Sequence, residues 1–545
     1  MRNFKKLLVV LSSVLVLSAC GGSTLSPVEL GAAPNVPTNV LTIMNQPLYQ
    51  DATWSLLVLD TQSGEPIYTL NTNELLLIGS VRKLFSVATA LEQLGVDHRF
   101  VTTVHGVGNV DNLGVLDGDL VLRASGDVTM GMRRQADNTM AISEIDHNEA
   151  AVVGTAVLTD TDALLAYRDL ATQVAASGVT EIAGEVIVDD RLFQHFDFRG
   201  QYTVTPAMVN ENFVDAALLP TSVGQPANLI EVRPQTSAFT VNSTATTVNG
   251  DGTALVQVDP FLPECFGTPG CSGSVSGELP INGKPPVVDS YPIVQNFRVV
   301  DPSSFARTVF IEELQKAGVT VNTAVVAPNP AGLLPDRSAL TVGNQFAEYT
   351  SLPFSEYARL VLKVSFNLGA DTTLVLFGLA NGVDSIEAAL AVEEETLINS
   401  FGLAEGSFLF EDGAGGGQSQ ATSISVVKLL QDMVERPSGQ AFRDGLPRLG
   451  VDGTLRILTE YQQDPTLAGA TGNVLAKTGT LASLTDDDLI ALDARAMAGY
   501  IQTRSGRDVT YVLVVNDAGE FEEFLDSLQV SDDLAEISAI LWRDL

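Results

Sequence analysis

The sequence predicts an α/β (α+β) protein in which strands from both ends of the chain form one β-sheet flanked by helices, with a β-rich insertion between them. Strand-like apolar runs occur early, at Trp54–Asp60 and Ile67–Leu70, and again late, at Ala496–Thr503 and Asp508–Val515. Helical spacing of apolar residues dominates from about residue 350 to the late strands. This order of elements favours a single sheet to which both chain ends contribute.

The composition is that of a globular protein with more than one domain. A chain of 545 residues exceeds one ordinary core, and 45% hydrophobic with 18% charged residues argues against disorder. The formal charge of −36 argues against a nucleic-acid partner, because phosphate binding needs a basic surface. A solvated acidic surface is the simpler interpretation of this charge, and a specific cationic partner is the alternative.

The N-terminus predicts an exported lipoprotein. Three basic residues precede the apolar run Leu7–Leu17, which is too short to span a bilayer and is typical of a secretory signal. The run ends at Leu17–Gly21, which resembles a lipoprotein signal box in which Cys20 is lipidated after removal of residues 1–19. An ordinary signal peptide with an incidental cysteine is the alternative.

Residues 20–40 are rich in Gly, Ser, Pro and Ala and predict a flexible tether. Gly21, rather than Asp, follows Cys20, which in a Gram-negative cell suits sorting to the outer membrane. We therefore expect the mature protein on the periplasmic side, attached to a membrane through its N-terminal lipid.

The other two cysteines, Cys265 and Cys271, flank a short turn containing Gly and Pro. A disulfide is expected, because an exported chain meets an oxidising compartment. A metal-binding pair is the alternative, but none of the four histidines of the chain lies near these cysteines in sequence. The sequence shows no phosphate-binding loop, and we expect neither a metal nor another cofactor.

The predicted domains follow from these patterns. Residues 41–104 and 346–545 form the domain built from both ends, and residues 105–345 form one or two inserted β-rich modules. The supporting runs are strands at Gly118–Leu122 and Gly184–Val188 and helices at Ser80–Leu94, Phe305–Ala317, Phe354–Leu368, Leu374–Leu379, Ser385–Ser400, Ser423–Val434 and from Glu520 onwards.

The first chemical motif is Ser80–Lys83. At spacing i, i+3 on a helix, the hydroxyl and the amine lie on one face, so a neutral amine can take the hydroxyl proton. An unperturbed lysine titrates near ~10.4, so the site has to lower that value. Ser425–Lys428 has the same spacing, but Ser80 alone follows a predicted hairpin and stands at a predicted helix start.

Two further motifs follow in the order expected of serine enzymes that use lysine as base. Ser365-Phe366-Asn367 offers a hydroxyl for proton relay and an amide, although Ser and Asn also favour helix ends. Lys477–Thr480, in an extended run, offers Lys477 and Thr478 to hold a carboxylate and Gly479 to let a substrate backbone approach.

With these motifs the chain resembles the class C low-molecular-mass penicillin-binding proteins, a family of D-alanyl-D-alanine carboxypeptidases and endopeptidases. The resemblance covers nearly all of the chain from about residue 50. Further segments that carry it are Gly118–Leu122, Gly184–Asp190, Asn210–Asn212, Asp412–Gly415 and Asp452–Leu455. The family also has a long insertion between its first two motifs, and it implies a transpeptidase or β-lactamase-like catalytic domain.

The resemblance implies roles for each motif residue. Ser80 corresponds to the nucleophile and Lys83 to its base. Ser365 and Asn367 correspond to the pair that helps protonate the leaving amine. Lys477 and Thr480 correspond to residues that hold the terminal carboxylate of a peptidoglycan stem peptide, and backbone N–H groups of Ser80 and Thr480 to the oxyanion hole. β-Lactam antibiotics are the expected inhibitors.

The sequence departs from the family pattern at three places. Phe366 stands where the family often has Asp, Ala414 stands where it often has Ser, and the acidic stretch 485–493 lengthens the connection after Lys477–Thr480.

Two other functions share the motifs or the fold, namely a β-lactamase and a catalytically inactive cell-wall-binding protein. The first needs a water-activating group that is not evident after Asn367, and the second is expected to have lost a motif residue.

Overall fold

The computed structural model describes residues 36–143 and 145–545, which form two compact units. Residues 36–97 and 354–545 form one, here called the terminal unit, and the described residues of 98–353 form the other, the inserted unit. Residues 1–35, which include Cys20 and most of the expected tether, lie outside the described residues. Within the part that is described, no helix combines the length and the apolar character needed to cross a bilayer.

Strands and helices are numbered in chain order over the described residues. The strands of the terminal unit are β1 (Thr53–Asp60), β2 (Pro66–Leu70), β3 (Leu76–Leu77), β19 (Phe408–Leu409), β20 (Gln420–Ala421), β21 (Val474–Leu484), β22 (Ile490–Gln502), β23 (Asp508–Asn516) and β24 (Glu520–Phe521). Its helices are α1 (Thr38–Met44), α2 (Lys83–Leu94), α6 (Phe354–Lys363), α7 (Asn367–Ala380), α8 (Ile386–Asn399), α9 (Ser423–Glu435), α10 (Gly439–Asp444) and α11 (Leu528–Asp544).

The main sheet of the terminal unit has the order β2-β1-β23-β22-β21, with β24 beside β22. Each pairing is antiparallel. Strand β1 pairs with β23 from Thr53 opposite Asn516 to Asp60 opposite Val509. The prediction that early and late strands share one sheet with helices beside it is therefore confirmed.

Alternation along β23 gives the sheet two different faces. Val509, Leu513 and Val515 belong to the core that also contains the apolar side of α11. Tyr511 points the same way, because its hydroxyl lies 3.1 Å from Oγ of Ser538 on α11. Burying each such aliphatic side chain stabilises the fold by about 1.5–3 kcal/mol.

The other face of the sheet carries the helices that hold the motif residues. Gln431 of α9 donates to Oγ1 of Thr510 on β23 at 3.2 Å, and Ser55 of β1 lies 2.7 Å from Ser423 at the start of α9, between their hydroxyl oxygens. Helices α2, α7 and α8 pack against one another. The sheet is thus covered on both faces.

The strands of the inserted unit are β4 (Val101–Val110), β5 (Val115–Arg123), β6 (Glu181–Ile182), β7 (Val186–Asp189), β8 (Phe196–Phe198), β9 (Tyr202–Val204), β10 (Phe213–Leu219), β11 (Asn228–Arg233), β12 (Thr240–Ser243), β13 (Thr246–Val248), β14 (Leu255–Asp259), β15 (Ser272–Pro280), β16 (Ile293–Arg298), β17 (Thr320–Val321) and β18 (Gln345–Thr350). Its helices are α3 (Ala150–Val153), α4 (Leu165–Ala176) and α5 (Pro302–Lys316). The strands form a six-stranded sheet of order β17-β6-β5-β4-β18, with β7 beside β5, and three smaller sheets, as expected of β-rich modules. Helix α4 has no counterpart in the sequence-based prediction. A disulfide joins Cys265 and Cys271 between β14 and β15.

The limits of the units differ from the predicted domain boundaries. The expected cuts after residues 104 and 345 fall inside β4 and β18, which pair with each other in the sheet of the inserted unit. The cuts lie instead at 97/98 and 353/354, because a paired strand cannot be divided between two cores. The predicted tether, 20–40, also overlaps α1, where Val40 is fully buried in the core of the terminal unit.

Candidate active site

Ser80 lies on a short 3-10 turn, Gly79–Arg82, which leads directly into helix α2 at Lys83. The α-helix therefore begins three residues later than the sequence predicted. The i, i+3 relation survives, because side chains three apart are eclipsed in a 3-10 turn. Nζ of Lys83 lies 2.6 Å from Oγ of Ser80.

The amine of Lys83 is fully buried and faces oxygen atoms. It donates to Oδ1 of Asn367 at 2.7 Å and to the carbonyl oxygen of Ala414 at 2.8 Å. Both oxygens can only accept hydrogen bonds. These contacts hold the amine beside Oγ of Ser80, where in its neutral form it can accept the hydroxyl proton.

The second motif lies at a break between two helices. Helix α6 ends at Lys363 and α7 begins at Asn367, so the single helix predicted over Phe354–Leu368 is wrong. Between them Ser365 has a φ of +59°, a left-handed conformation that ends a helix. This turn directs Ser365 and Asn367 to different lysines.

Lys477 lies on β21, the last strand in the order of the main sheet, and is fully buried. Its amine donates to Oγ of Ser365 at 2.9 Å and to the carbonyl oxygen of Thr478 at 2.7 Å. The predicted motif residues Ser80, Lys83, Ser365, Asn367 and Lys477 are thus brought together by direct contacts.

Close backbone approaches hold the nucleophile turn against β21. A Cβ atom added to Gly79, whose φ is +48°, would lie 2.7 Å from the backbone nitrogen of Thr480. One added to Gly479 would lie 2.1 Å from the carbonyl oxygen of Ile78. Gly479 was expected to admit a substrate backbone, and the structure shows that it admits the protein's own chain beside Ser80.

The segment Asp412–Gly415 closes the other side of the nucleophile turn. Oδ1 of Asp412 accepts hydrogen bonds from the backbone N–H groups of Ala414 at 2.9 Å and Gly415 at 2.6 Å. A Cβ atom on Gly415 would lie 2.0 Å from the carbonyl oxygen of Gly79. Ala414 contacts Lys83 through its backbone carbonyl, so the absent serine hydroxyl removes nothing from this contact.

A buried ion pair anchors the same turn from below. Nη1 of Arg82 donates to Oε1 of Glu393 on α8 at 3.0 Å, and Nε of Arg82 donates to the carbonyl oxygen of Asp412 at 2.9 Å. Both charged side chains are at most 1% exposed. Arg82, although it lies inside the first motif, therefore stabilises the turn and does not contact Ser80.

The segment Asp452–Leu455 supports β21. Oγ1 of Thr454 lies 2.8 Å from Oγ1 of Thr478, and Lys363 donates to Oδ1 of Asp452 at 2.8 Å. Burial lowers the pKa of Lys363, although Asp452 opposes that effect. Thr454 was not singled out from the sequence, although it lies inside a segment that carries the family resemblance.

Arg495 is a second residue that sequence reasoning missed. It lies on β22 opposite Thr480, is 4% exposed, and donates through Nη1 to Oγ1 of Thr480 at 2.6 Å. A charged residue within the apolar run of β22 was the only signal available. Its contact with Thr480 follows from strand register, which the sequence did not specify.

The competing motif at Ser425–Lys428 is a different arrangement. Ser425 is 2% exposed and lies 2.6 Å from Ser407 between their hydroxyl oxygens. Lys428 is exposed. Ser425 is therefore part of a buried hydroxyl pair and has no lysine directed at it, among the residues that the structure describes.

The remaining departures from the family pattern have simple structural accounts. Phe366 is 1% exposed, and its ring lies where a side chain on Gly369 would clash, so it fills the helical core. The acidic stretch 485–493 forms the tip of the β21–β22 hairpin and the first residues of β22. In this hairpin Ser483 donates to Oδ1 of Asp493 at 2.9 Å.

Among the described residues, one group of potential metal ligands lies in the inserted unit. Asp146, His147 and Glu211 offer ligand atoms that all lie within 4.8 Å of one another. Arg133 donates to Asp146 at 2.7 Å and to Glu211 at 2.8 Å, so a cation already neutralises these carboxylates. This donor set fits a buried ion network better than a metal centre.

A serine, two buried lysines and a helix-break Ser-x-Asn beside an antiparallel sheet are typical of serine acyl-transfer enzymes that use lysine as base. The sequence profile of the D-Ala-D-Ala carboxypeptidase 3 (S13) family matches residues 36–538, and the chain belongs to this family. It is therefore a serine-type D-alanyl-D-alanine peptidase, as predicted.

Individual relatives agree with this assignment. The chain is 26% identical over 499 residues to a D-alanyl-D-alanine carboxypeptidase of Actinomadura sp. (strain R39), covering 87% of this chain and 79% of the relative. Its fold is similar to that of penicillin binding protein 4 from Haemophilus influenzae, with a TM-score of 0.65 at 19% identity, covering 93% of this chain and 99% of the other. A complex of that protein with a β-lactam gives a TM-score of 0.62 at 18% identity, with the same coverage.

Proposed function

We propose that Ser80 is the nucleophile of a peptidase that hydrolyses D-Ala-D-Ala bonds in peptidoglycan stem peptides. The observation that carries the proposal is the 2.6 Å contact between Nζ of Lys83 and Oγ of Ser80, with Asn367 and Ala414 accepting from the same amine. This geometry suits a lysine that accepts the serine proton.

The chemistry proceeds in two steps. Oγ of Ser80 bonds to the carbonyl carbon of the penultimate D-Ala while its proton passes to Lys83. The C–N bond then breaks, and the leaving amine takes the proton that Lys83 accepted, relayed through the hydroxyl of Ser365. Water next attacks the acyl-enzyme ester, which returns Ser80 to its free hydroxyl and releases the shortened peptide.

Binding of the terminal carboxylate falls to Lys477 and Thr480. Lys477 supplies a buried amine beside Ser365, and Thr480 lies against the nucleophile turn at Gly79. The backbone N–H groups of Ser80 and Thr480 are the proposed donors to the oxyanion. A β-lactam also presents an amide carbonyl near a carboxylate, so it acylates the same serine.

Labelling with a fluorescent penicillin tests the assignment. Ser80→Ala is expected to abolish labelling, and Lys83→Ala to slow acylation by roughly 10²–10⁴-fold without unfolding the protein. Ser425→Ala is the matched control and is expected to change neither labelling nor hydrolysis of a D-Ala-D-Ala peptide. Labelling that survives in Ser80→Ala but disappears in Ser425→Ala would show that Ser425, and not Ser80, is the nucleophile. A long-lived adduct supports the peptidase, and a short-lived one supports a β-lactamase.

We also propose that the enzyme acts outside the cytoplasm as a lipoprotein anchored through Cys20. The signal-like sequence before Cys20 supports this proposal, and so does membership of a cell-wall peptidase family. In a Gram-negative cell, Gly21 favours the outer membrane.

A further inference from the structure

Arg495 connects the carboxylate-binding strand to the C-terminal helix. Nη1 donates to Oγ1 of Thr480 at 2.6 Å. Nη2 donates to the carbonyl oxygen of Ser527 at 3.1 Å and to its Oγ at 2.8 Å. Ser527 immediately precedes α11 and is fully buried. The guanidinium is thus held at two ends, with one end directed at a proposed substrate-binding residue.

The hydrogen-bond direction at Thr480 follows from the chemistry of arginine. A guanidinium only donates hydrogen bonds, so Oγ1 of Thr480 must accept from Arg495. The hydroxyl hydrogen of Thr480 is then free to be donated to a third group. Ser527 is fixed in the same way, because its own hydroxyl donates to the carbonyl oxygen of Phe524 at 2.7 Å.

Within residues 36–143 and 145–545, no carboxylate forms a direct ion pair with the guanidinium of Arg495. Tyr49, whose hydroxyl donates to Asp533, favours the charged form of Arg495. Burial lowers the pKa of Arg495 to about 10, which still leaves it protonated at neutral pH. A buried cation without a counter-ion is costly to the fold. It places a positive potential directly behind the hydroxyl of Thr480, where an anion would be stabilised.

We propose that Arg495 is a positioning residue that makes the enzyme selective for substrates ending in a free carboxylate. It acts through Thr480, by fixing that hydroxyl as a donor towards the substrate carboxylate and by adding positive charge behind it. The inference rests on the proposed function, in which Lys477 and Thr480 bind this carboxylate. A neutral C-terminal amide gains nothing from the charge, so Arg495 favours a peptide with a free C-terminal carboxylate over the same peptide with a C-terminal amide.

The alternative is that Arg495 is only a strut between β22 and α11. A strut affects folding and all substrates equally, whereas the proposed residue affects the ratio of two substrates. The experiment therefore measures kcat/KM for a D-Ala-D-Ala peptide and for the same peptide with a C-terminal amide. Thermal stability is measured alongside for each variant.

Arg495→Met is expected to lower kcat/KM for the free acid by about tenfold to a hundredfold, the range for losing one charge-assisted hydrogen bond. The value for the amide is expected to change by less than about threefold. Arg495→Lys keeps the charge and one donor, so it is expected to retain part of the discrimination. Arg507→Met is the matched control, because Arg507 is a half-exposed arginine in the β22–β23 connection, paired with Asp60, and should leave both values unchanged.

Coupling to Thr480 provides a second measurement. In the Thr480→Val background, Arg495→Met should have a much smaller effect on the free acid than it has alone, since Arg495 acts through the hydroxyl. If Arg495→Met fails to fold, Arg495→Lys is measured in both backgrounds instead, with a reduction of threefold or more expected for the acid alone.

Equal losses on the acid and the amide would overturn the inference in favour of a strut, as would an unchanged ratio in either Arg495 variant. These outcomes are distinct from failure of the proposed function. In that case the unaltered protein would neither hydrolyse the peptide nor become labelled by penicillin at Ser80.

Discussion

Individual charged residues in the interior show how this acidic protein keeps buried carboxylates ionised. In the inserted unit, Asp146, Glu211 and Asp215 are all fully or almost fully buried. Burial opposes ionisation of Asp146 and Glu211, but Arg133 outweighs it and lowers the pKa of both carboxyls. His147 completes the network, with its ring nitrogens 2.9 Å from Glu211 and 3.1 Å from Asp215.

Because of His147, the protein is expected to become less stable as the pH becomes alkaline. Burial alone would lower its pKa, but Asp215 and Glu211 outweigh burial and raise it to about 9. Because the pKa is higher in the folded than in the unfolded state, the stabilisation is fully present below about pH 6.5 and is lost as the pH rises through about 9. We expect the free energy of unfolding to fall by about 3 kcal/mol over this interval, as measured by urea denaturation.

The control for this prediction is His98, whose pKa is lowered by burial and not raised. His98→Gln should therefore leave the loss of stability at alkaline pH in place. His147→Gln should destabilise the protein at pH 6, because Arg133 and Arg298 then face three carboxylates, and should flatten the pH dependence. A variant that keeps the full slope would show that another group is responsible.

Contacts between residues a few positions apart could be predicted from the sequence. Contacts that depend on strand register could not. Lys83 was assigned because three residues along a turn return a side chain to the same side. Arg495 was not, because its partner Thr480 is set by which strand lies beside β21 and in what register. The network around His147 joins residues from distant segments. Asn210–Asn212 carries the family resemblance, but no local pattern indicated that Glu211 contacts His147.

At the scale of elements, the site depends on three segments that approach one another through glycines. The turn at Gly79, the strand at Gly479 and the loop at Gly415 each place backbone where a Cβ atom would clash with the next segment. Glycine at all three positions was visible in the sequence, yet its purpose depended on packing between elements. The predicted helix from Glu520 failed for a similar reason, since Glu520–Phe521 pairs with β22 as a strand and α11 begins at Leu528.

Gly79→Ala tests this packing. Its Cβ atom would lie 2.7 Å from the backbone of Thr480 at a φ that disfavours alanine, so the turn has to move away from β21. Acylation by fluorescent penicillin is expected to slow by about a hundredfold or more, because small displacements of reacting groups are costly.

Gly64→Ala is the matched control for that variant. Gly64 also has a positive φ, +71°, in the β1–β2 turn, but an added Cβ would meet nothing within 4 Å. It should cost about 1 kcal/mol of stability and leave acylation unchanged. Equal acylation rates in the two variants would mean that the nucleophile turn tolerates displacement.

At the scale of the whole molecule, the proposed lipid anchor at Cys20 would determine where the chemistry takes place. The described structure starts at residue 36, and α1 follows at once, with Val40 fully buried in the core of the terminal unit. In the sequence, Cys20 precedes Thr38, the first residue of α1, by eighteen residues.

Mass spectrometry of the mature protein tests the anchor. Export in a lipoprotein-processing host is expected to give an N-terminus at Cys20 that carries added acyl mass. Cys20→Ser should prevent this processing and release the protein from the membrane fraction, while penicillin labelling at Ser80 is retained. If the unaltered protein has an unmodified mature N-terminus downstream of Cys20, it is not a lipoprotein.

The order of strands in the main sheet has a consequence for synthesis and folding. Strand β1 is made early, but its neighbour β23 consists of residues 508–516, and Lys477 on β21 is made nearly four hundred residues after Ser80. Such distant contacts close slowly, whereas the inserted unit is continuous in sequence and can fold as soon as it emerges. A chain interrupted before β21 contains the serine without its second lysine, so the newly made enzyme is expected to stay inactive until nearly all of it has been synthesised.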